Sequence, residues 1–180
     1  FEYDPSPVYA DYYERVLLNN ILANSNKQYG GATTYFMGMQ PGAQKNYRAM
    51  ENTCCHGTGL ESKFRYGEGI YYTASGDVYI NLFLNSTLAL GKDFILEQEI
   101  MNEERSRIHI VVREGGKEAR TLKIRIPGWC DGNFDILYVK HPEKVQVRNG
   151  YIEINDRWEK DDRIHIRFSC FLRVVRSKDR

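Results

Sequence analysis

Net charge is nearly absent from this sequence, with 25 lysines and arginines against 24 aspartates and glutamates in 180 residues. A chain without a basic or acidic excess lacks the field that draws nucleic acid or an anionic membrane surface, so neither is expected as a partner. Also missing is any apolar run near the roughly 20 residues that span a bilayer, and no signal peptide opens the chain. The first residue is Phe1, so upstream residues are expected to have been removed, and cytoplasmic, periplasmic and secreted locations all stay open. No internal repeat and no low-complexity tract occurs. The four cysteines, Cys54, Cys55, Cys130 and Cys170, lack the framework spacing that staples small secreted domains, and read as free thiols or ligands. No Glu-x-Cys, Cys-x-x-Cys or His-x-x-x-His pattern accompanies them, which leaves a four-ligand zinc site incomplete.

What is present falls into two characters. From Ser6, "SPVYADYYERVLLNNILANS" sets Val8, Tyr12, Val16, Leu17 and Ile21 at helical spacing, with Ser6 as N-cap and Pro7 at the first helical position. Tyr29-Gly30-Gly31 is expected to break that helix, and "ATTYFMGM" to form a short strand ended by Pro41-Gly42. Thr58-Gly59-Leu60-Glu61 fits a capping box, which predicts a second short helix beside the cysteines with Leu60 and Phe64 on its buried side.

Beyond Gly76 the pattern is alternation: "DVYINLFL", "FILEQEI", "RIHIVVR", "TLKIRIPG", "FDILYV", "KVQVRNGYIEI" and "RIHIRF". Period two, punctuated by turn signals such as Glu-Gly-Gly and Arg-Asn-Gly, predicts seven or eight antiparallel strands packed as a β-sandwich. The expected division is therefore 1–75, largely helical, and 76–180, all β.

The adjacent pair Cys54-Cys55 carries the most chemistry. Neighbouring cysteines are poorly placed for a disulfide, because the small ring strains bridge and backbone. A helix start beside them favours the thiolate, the form that attacks carbon or binds zinc. The competing reading is two small buried thiols used for packing. His56 offers a ligand or base, or a solvated turn residue. His109, His141 and His165 read as strand or turn surface, Cys130 and Cys170 as packing. Glu51, Glu61 and Glu68 do not make a clear acid pair for glycosidic chemistry, since Glu61 is given to capping.

The segments "TYFMGMQPGAQK", "NTCCHGTGLESKFRYGEGIYY" and "GYIEINDRWEKDDRIHIRF" together resemble the β-L-arabinofuranosidase family, glycoside hydrolase family 127 and its relatives, over nearly the whole chain. The resemblance implies an α+β fold: the end of an (α/α)6 helical barrel over 1–75, followed by the antiparallel β-sandwich over 76–180. It implies that Cys54 is the nucleophile, that Cys54 and Cys55 bind zinc with an upstream Glu-x-Cys, and that Tyr35 contacts the sugar. The implied substrate is an arabinose-containing glycan, and the implied partner is the missing N-terminal helical barrel. Because the Glu-x-Cys and the general acid have no counterpart here, the chain alone is expected to be inactive and to hold zinc weakly or not at all. A different class of function, a non-catalytic β-sandwich that binds carbohydrate or braces a partner, fits the same strands.

Overall fold

A computed structural model of the chain describes residues 3–26, 28, 32–47, 53–101, 106–172, 174 and 176. They form two compact units: residues 10–69, and the residues from 70 onward together with those before 10. Two α-helices, α1 (Pro7–Val16) and α2 (Cys54–Arg65), precede the first strand, and no described helix is long and apolar enough to cross a membrane. Pro7 opens α1 at the position where its missing N–H goes unnoticed.

The expected long helix ends earlier than its spacing implies. After Val16 the backbone widens into a π-turn at Leu17–Ile21, and Val8 and Tyr12 are exposed while Ala10 and Leu17 are buried. The break expected at Tyr29-Gly30-Gly31 lies outside the described residues. The strand expected at "ATTYFMGM" is reduced to one bridge, Thr33 with Ser25. Its far end is a reverse turn in which Ala43 N–H donates to Gln40 C=O at 3.1 Å, with Gly42 at φ 78°. Pro at the second position and a positive-φ glycine at the third is the geometry that Pro41-Gly42 encodes.

Among the described residues ten strands follow: β1 Tyr71–Ala74, β2 Asp77–Ile80, β3 Ser86–Leu90, β4 Phe94–Ile100, β5 Arg107–Glu114, β6 Arg120–Arg125, β7 Phe134–Val139, β8 Val145–Arg148, β9 Tyr151–Asp156 and β10 Arg163–Phe168. They pair as two five-stranded sheets, ordered β1-β2-β6-β9-β8 and β3-β4-β5-β10-β7. Alternation aims Val78, Ile80, Leu122, Ile124, Ile152 and Ile154 of the first sheet into one buried cluster with Phe94, Leu96, Ile108, Ile110, Ile164, Ile166 and Phe168 of the second. Each such side chain contributes about 1.5–3 kcal/mol by leaving water, so this β-sandwich core dominates the stability of its unit.

Two features depart from the sequence expectation. The sandwich is not wholly antiparallel, since β2 pairs with β6 in parallel, Val78 beside Leu122 and Ile80 beside Ile124. Period two decides which face a residue takes and says nothing of strand direction. The run "DVYINLFL" stops being a strand at Ile80, and its next groups find partners outside the ladders, beginning with Asn81 N–H, which donates to Ile70 C=O at 2.9 Å. Arg125 Nε donates to Asn81 C=O at 2.6 Å, Tyr151 Oη donates to Asn81 Oδ1 at 3.0 Å, and Gln98 Nε2 donates to Leu82 C=O at 2.9 Å. Leu82 and Phe83 then both turn inward.

Asp156, at the end of β9, is 5% exposed and receives Lys144 Nζ and His141 Nδ1, each at 2.6 Å. Burial pushes its carboxyl up, but Lys144, His141 and the Arg157 N–H together hold it below the ordinary carboxylate range. A depressed folded value means that its stabilisation is present above the unfolded pKa, about 3.9, and is lost as pH falls through the folded one. Asp156→Asn is therefore expected to lower the urea midpoint at pH 7, and to flatten its further fall in acid. A mutant whose midpoint declines in acid as steeply as the parent's would contradict this assignment.

Candidate functional site

The cysteine pair owes its position to Thr53. That residue is extended, at φ −118° and ψ 157°, and its Oγ1 accepts the His56 N–H at 3.4 Å, which makes it the N-cap of α2. Cys54 and Cys55 are consequently the first two residues of the helix. The start expected at Thr58 is displaced: Thr58 to Glu61 lie inside α2, and Glu61 forms an ion pair with Arg65 at 3.7 Å instead of capping. Glu68 meets the same Arg65 at 3.4 Å, so the two described carboxylates sit in exposed ion pairs and form no catalytic dyad. Glu51 lies outside the described residues. Leu60 and Phe64 do not bury a side of α2; they are 43% and 85% exposed, and the buried side chain of the helix is His56.

Cys54 is exposed, Cys55 half-buried, and their sulfurs stand 3.9 Å apart. The hydrogen bond shared with Cys54, then burial, then the charge of Cys54 push the Cys55 thiol above its ordinary value. A pair of this kind gives up its second proton reluctantly. The separation also suits a metal: two thiolates on one tetrahedral zinc, with Zn–S near 2.3 Å, lie about 3.8 Å apart. The residues present thus fit two corners of a zinc site. His56 Nδ1 is hydrogen-bonded to Thr53 Oγ1, and among the described residues no three His, Cys, Asp or Glu side chains converge.

Tyr35 is 37% exposed, and its ring stacks on His56 with centroids 6.3 Å apart and planes 18° apart. It thereby stands beside the turn that carries the two thiols, although it is not in the groove wall. That groove, about 480 Å³, is lined by Cys54 and Cys55 with Asn19, Asn20, Ile21, Asn24, Thr34, Met37, Lys45, Thr58, Gly59 and Ser62. The asparagines were not singled out by sequence reasoning. A signal existed: Asn19-Asn20 is a polar pair inside an otherwise apolar helical run, and it falls on the π-turn, a distortion frequent at functional sites. Gly59 lets this segment approach α2, since a Cβ there would meet Asn24 Nδ2 at 3.0 Å and Thr33 Cγ2 at 3.3 Å.

The other candidates lie in the β unit. His109 and His165 are cross-strand partners in edge-to-face contact at 4.0 Å, and burial, then His165, push His109 below the usual imidazole range. His141 is held by Asp156. Cys130 is fully buried, its Sγ donating to Pro127 C=O at 3.0 Å, and burial raises its thiol pKa. Cys170 is exposed, so the packing role expected of it does not hold.

Residues 77–170 match the family model described as the GH127 middle domain of β-L-arabinofuranosidase, and residues 1–68 match the model of the GH127 catalytic domain. The chain belongs to glycoside hydrolase family 127. No curated protein matches it. Among solved structures, a GH127 β-arabinofuranosidase is 24% identical, with TM-score 0.68, over 91% of this chain and 29% of its own. A glycoside hydrolase is 21% identical with TM-score 0.73, again over 91% and 29%. A GH127 β-L-arabinofuranosidase from Geobacillus stearothermophilus T6 is 22% identical with TM-score 0.65, over 93% and 29%. At these identities the structures speak for the GH127 fold alone, and the chain spans 29% of their length.

Proposed function

We propose that this GH127 chain is the end of an (α/α)6-barrel catalytic domain with the β-sandwich that follows it, in a retaining hydrolase of arabinose-containing glycans. The reading is carried by Cys54, an exposed thiol at the first position of α2, with a second sulfur 3.9 Å away and an open groove beside both. Cys54 Sγ, as thiolate, forms a bond to the anomeric carbon while the glycosidic C–O bond breaks. The departing oxygen takes its proton from an acid contributed by the rest of the protein. Water then adds at the anomeric carbon, its proton returns to that acid, and the C–S electron pair goes back to sulfur. Two displacements at one carbon retain the configuration.

Cys55 keeps the second sulfur in reach, and Tyr35 offers an aromatic face to the sugar next to the thiols. Zinc held by Cys54 and Cys55, completed by an upstream Glu-x-Cys, would keep the sulfurs ionised at neutral pH. The partner of residues 10–69 is the remainder of the helical barrel.

The test is a mechanism-based arabinofuranose inhibitor added to the full-length protein, followed by peptide mapping. An adduct on Cys54 and on no other residue is expected. A label on a carboxylate would sink the assignment.

A further inference from the structure

The groove beside the thiols is walled by three carboxamides, Asn19, Asn20 and Asn24, and three hydroxyls, Thr34, Thr58 and Ser62. Its charged side chain, Lys45, donates to the Ala23 carbonyl. Neutral donors and acceptors, with no carboxylate and no free cation among the described residues of the wall, suit an uncharged polyol.

Asn24 is held by three of the hydrogen bonds around this groove. Its N–H donates to Asn20 C=O at 2.8 Å, and its own C=O and Oδ1 both accept from Thr34 N–H, at 3.1 and 2.9 Å. Since a backbone N–H only donates, the side-chain oxygen is identified and the NH2 must point the other way. That NH2 lies against Gly59, in space a Cβ would contest at 3.0 Å, and has no hydrogen-bond partner among the described residues. The two atoms of the carboxamide thus differ: the oxygen holds the backbone of Thr34, and the nitrogen is left on the side of Gly59, which lines the groove together with Asn24.

We infer that Asn24 is a specificity-determining residue whose NH2 donates to a hydroxyl of the sugar held beside Cys54. The inference rests on the glycosidase reading above and adds to it the residue that selects among sugars. Gly59, which lets this segment approach α2, also leaves the NH2 its room.

The test is Asn24→Asp in the full-length protein, since aspartate keeps the oxygen for Thr34 and the side-chain volume but removes the donor. kcat/KM for an aryl arabinofuranoside is expected to fall about tenfold, the size of one lost hydrogen bond, with the thermal midpoint unchanged. Across singly deoxygenated arabinofuranosides, the parent should lose about tenfold on one analogue, and the variant should lose nothing further on that analogue. A variant that ranks the analogues as the parent does overturns the inference. If Cys54 still takes the inhibitor label in that case, the glycosidase reading stands and this proposal alone fails; an unlabelled Cys54 in the parent removes both. A second measurement needs no variant: the Asn24 side-chain amide signals of the wild-type protein should shift on saturation with methyl arabinofuranoside, and unshifted signals overturn the proposal.

Discussion

Cys54→Ser in the full-length protein is expected to reduce turnover of an aryl arabinofuranoside by roughly 10³-fold or more, with the circular dichroism and thermal midpoint of the parent. The first position of a helix accepts serine readily, and Cys54 is exposed, so no packing is lost. A serine hydroxyl is not ionised at neutral pH, so the attacking group is lost while the site around it survives. Cys55→Ser should also depress activity, by a different route. Its sulfur is half-buried and occupies the position expected of a second metal ligand, so bound zinc should fall together with rate. Measuring zinc stoichiometry and inhibitor labelling on both variants separates the two roles. Near-normal turnover in Cys54→Ser would remove the nucleophile from this residue.

The largest expected effect on folding comes from Gly115, just after β5. Any Cβ at this position would overlap the Trp158 carbonyl oxygen, and would lie 2.7 Å from Trp158 C and 2.9 Å from Glu159 Cα. All three are backbone atoms, and the segment cannot retreat, because Trp158 is 2% exposed and its Nε1 donates to Arg120 C=O at 2.8 Å. Gly115→Ala is expected to destabilise the sandwich by about 3 kcal/mol or more, at the upper end of overpacking effects. Gly116→Ala is the control: a Cβ there meets only Asp93 C=O at 3.8 Å, an ordinary contact, and should change stability by no more than about 0.5 kcal/mol. Equal urea midpoints for the two variants would show that the loop yields.

The sandwich was legible because alternation is a direct record of one wet and one dry face, and "RIHIVVR" and "RIHIRF" both became strands with their isoleucines in the core. Two strands escaped notice. β1 has four residues, and β3, "STLAL", has half-buried positions in place of a clean inward row. The first sheet therefore starts at Tyr71, ahead of the expected change of character at Gly76. The cysteine pair was found from the dipeptide and its flanks, yet its helical register was misjudged. Thr58 has the glutamate of a capping box at its third following position and Thr53 has His56, yet it is Thr53 that takes the extended backbone and caps the helix through its own Oγ1. The groove wall was invisible for another reason: Asn19, Asn20 and Asn24 are joined to the cysteines by packing across some thirty residues, with no local pattern to announce it.

The parallel pairing of β2 with β6 ties the start of the first sheet to a strand made much later in the chain. β3, β4 and β5 succeed one another along the chain, so the two ladders between them close over short connections, and of their ladders only that of β5 with β10 is distant. β2 must instead wait for residues 44 positions later, the separation at which Arg125 reaches back to Asn81. Loop-closure entropy grows with that separation, and contacts so distant in sequence form slowly. The hairpin of β1 and β2, which directly follows the helical unit in sequence, thus gains its place in the sheet only once β6 has been made. During synthesis from the N-terminus, residues 10–69 emerge well before the strand that completes the hairpin's ladder exists.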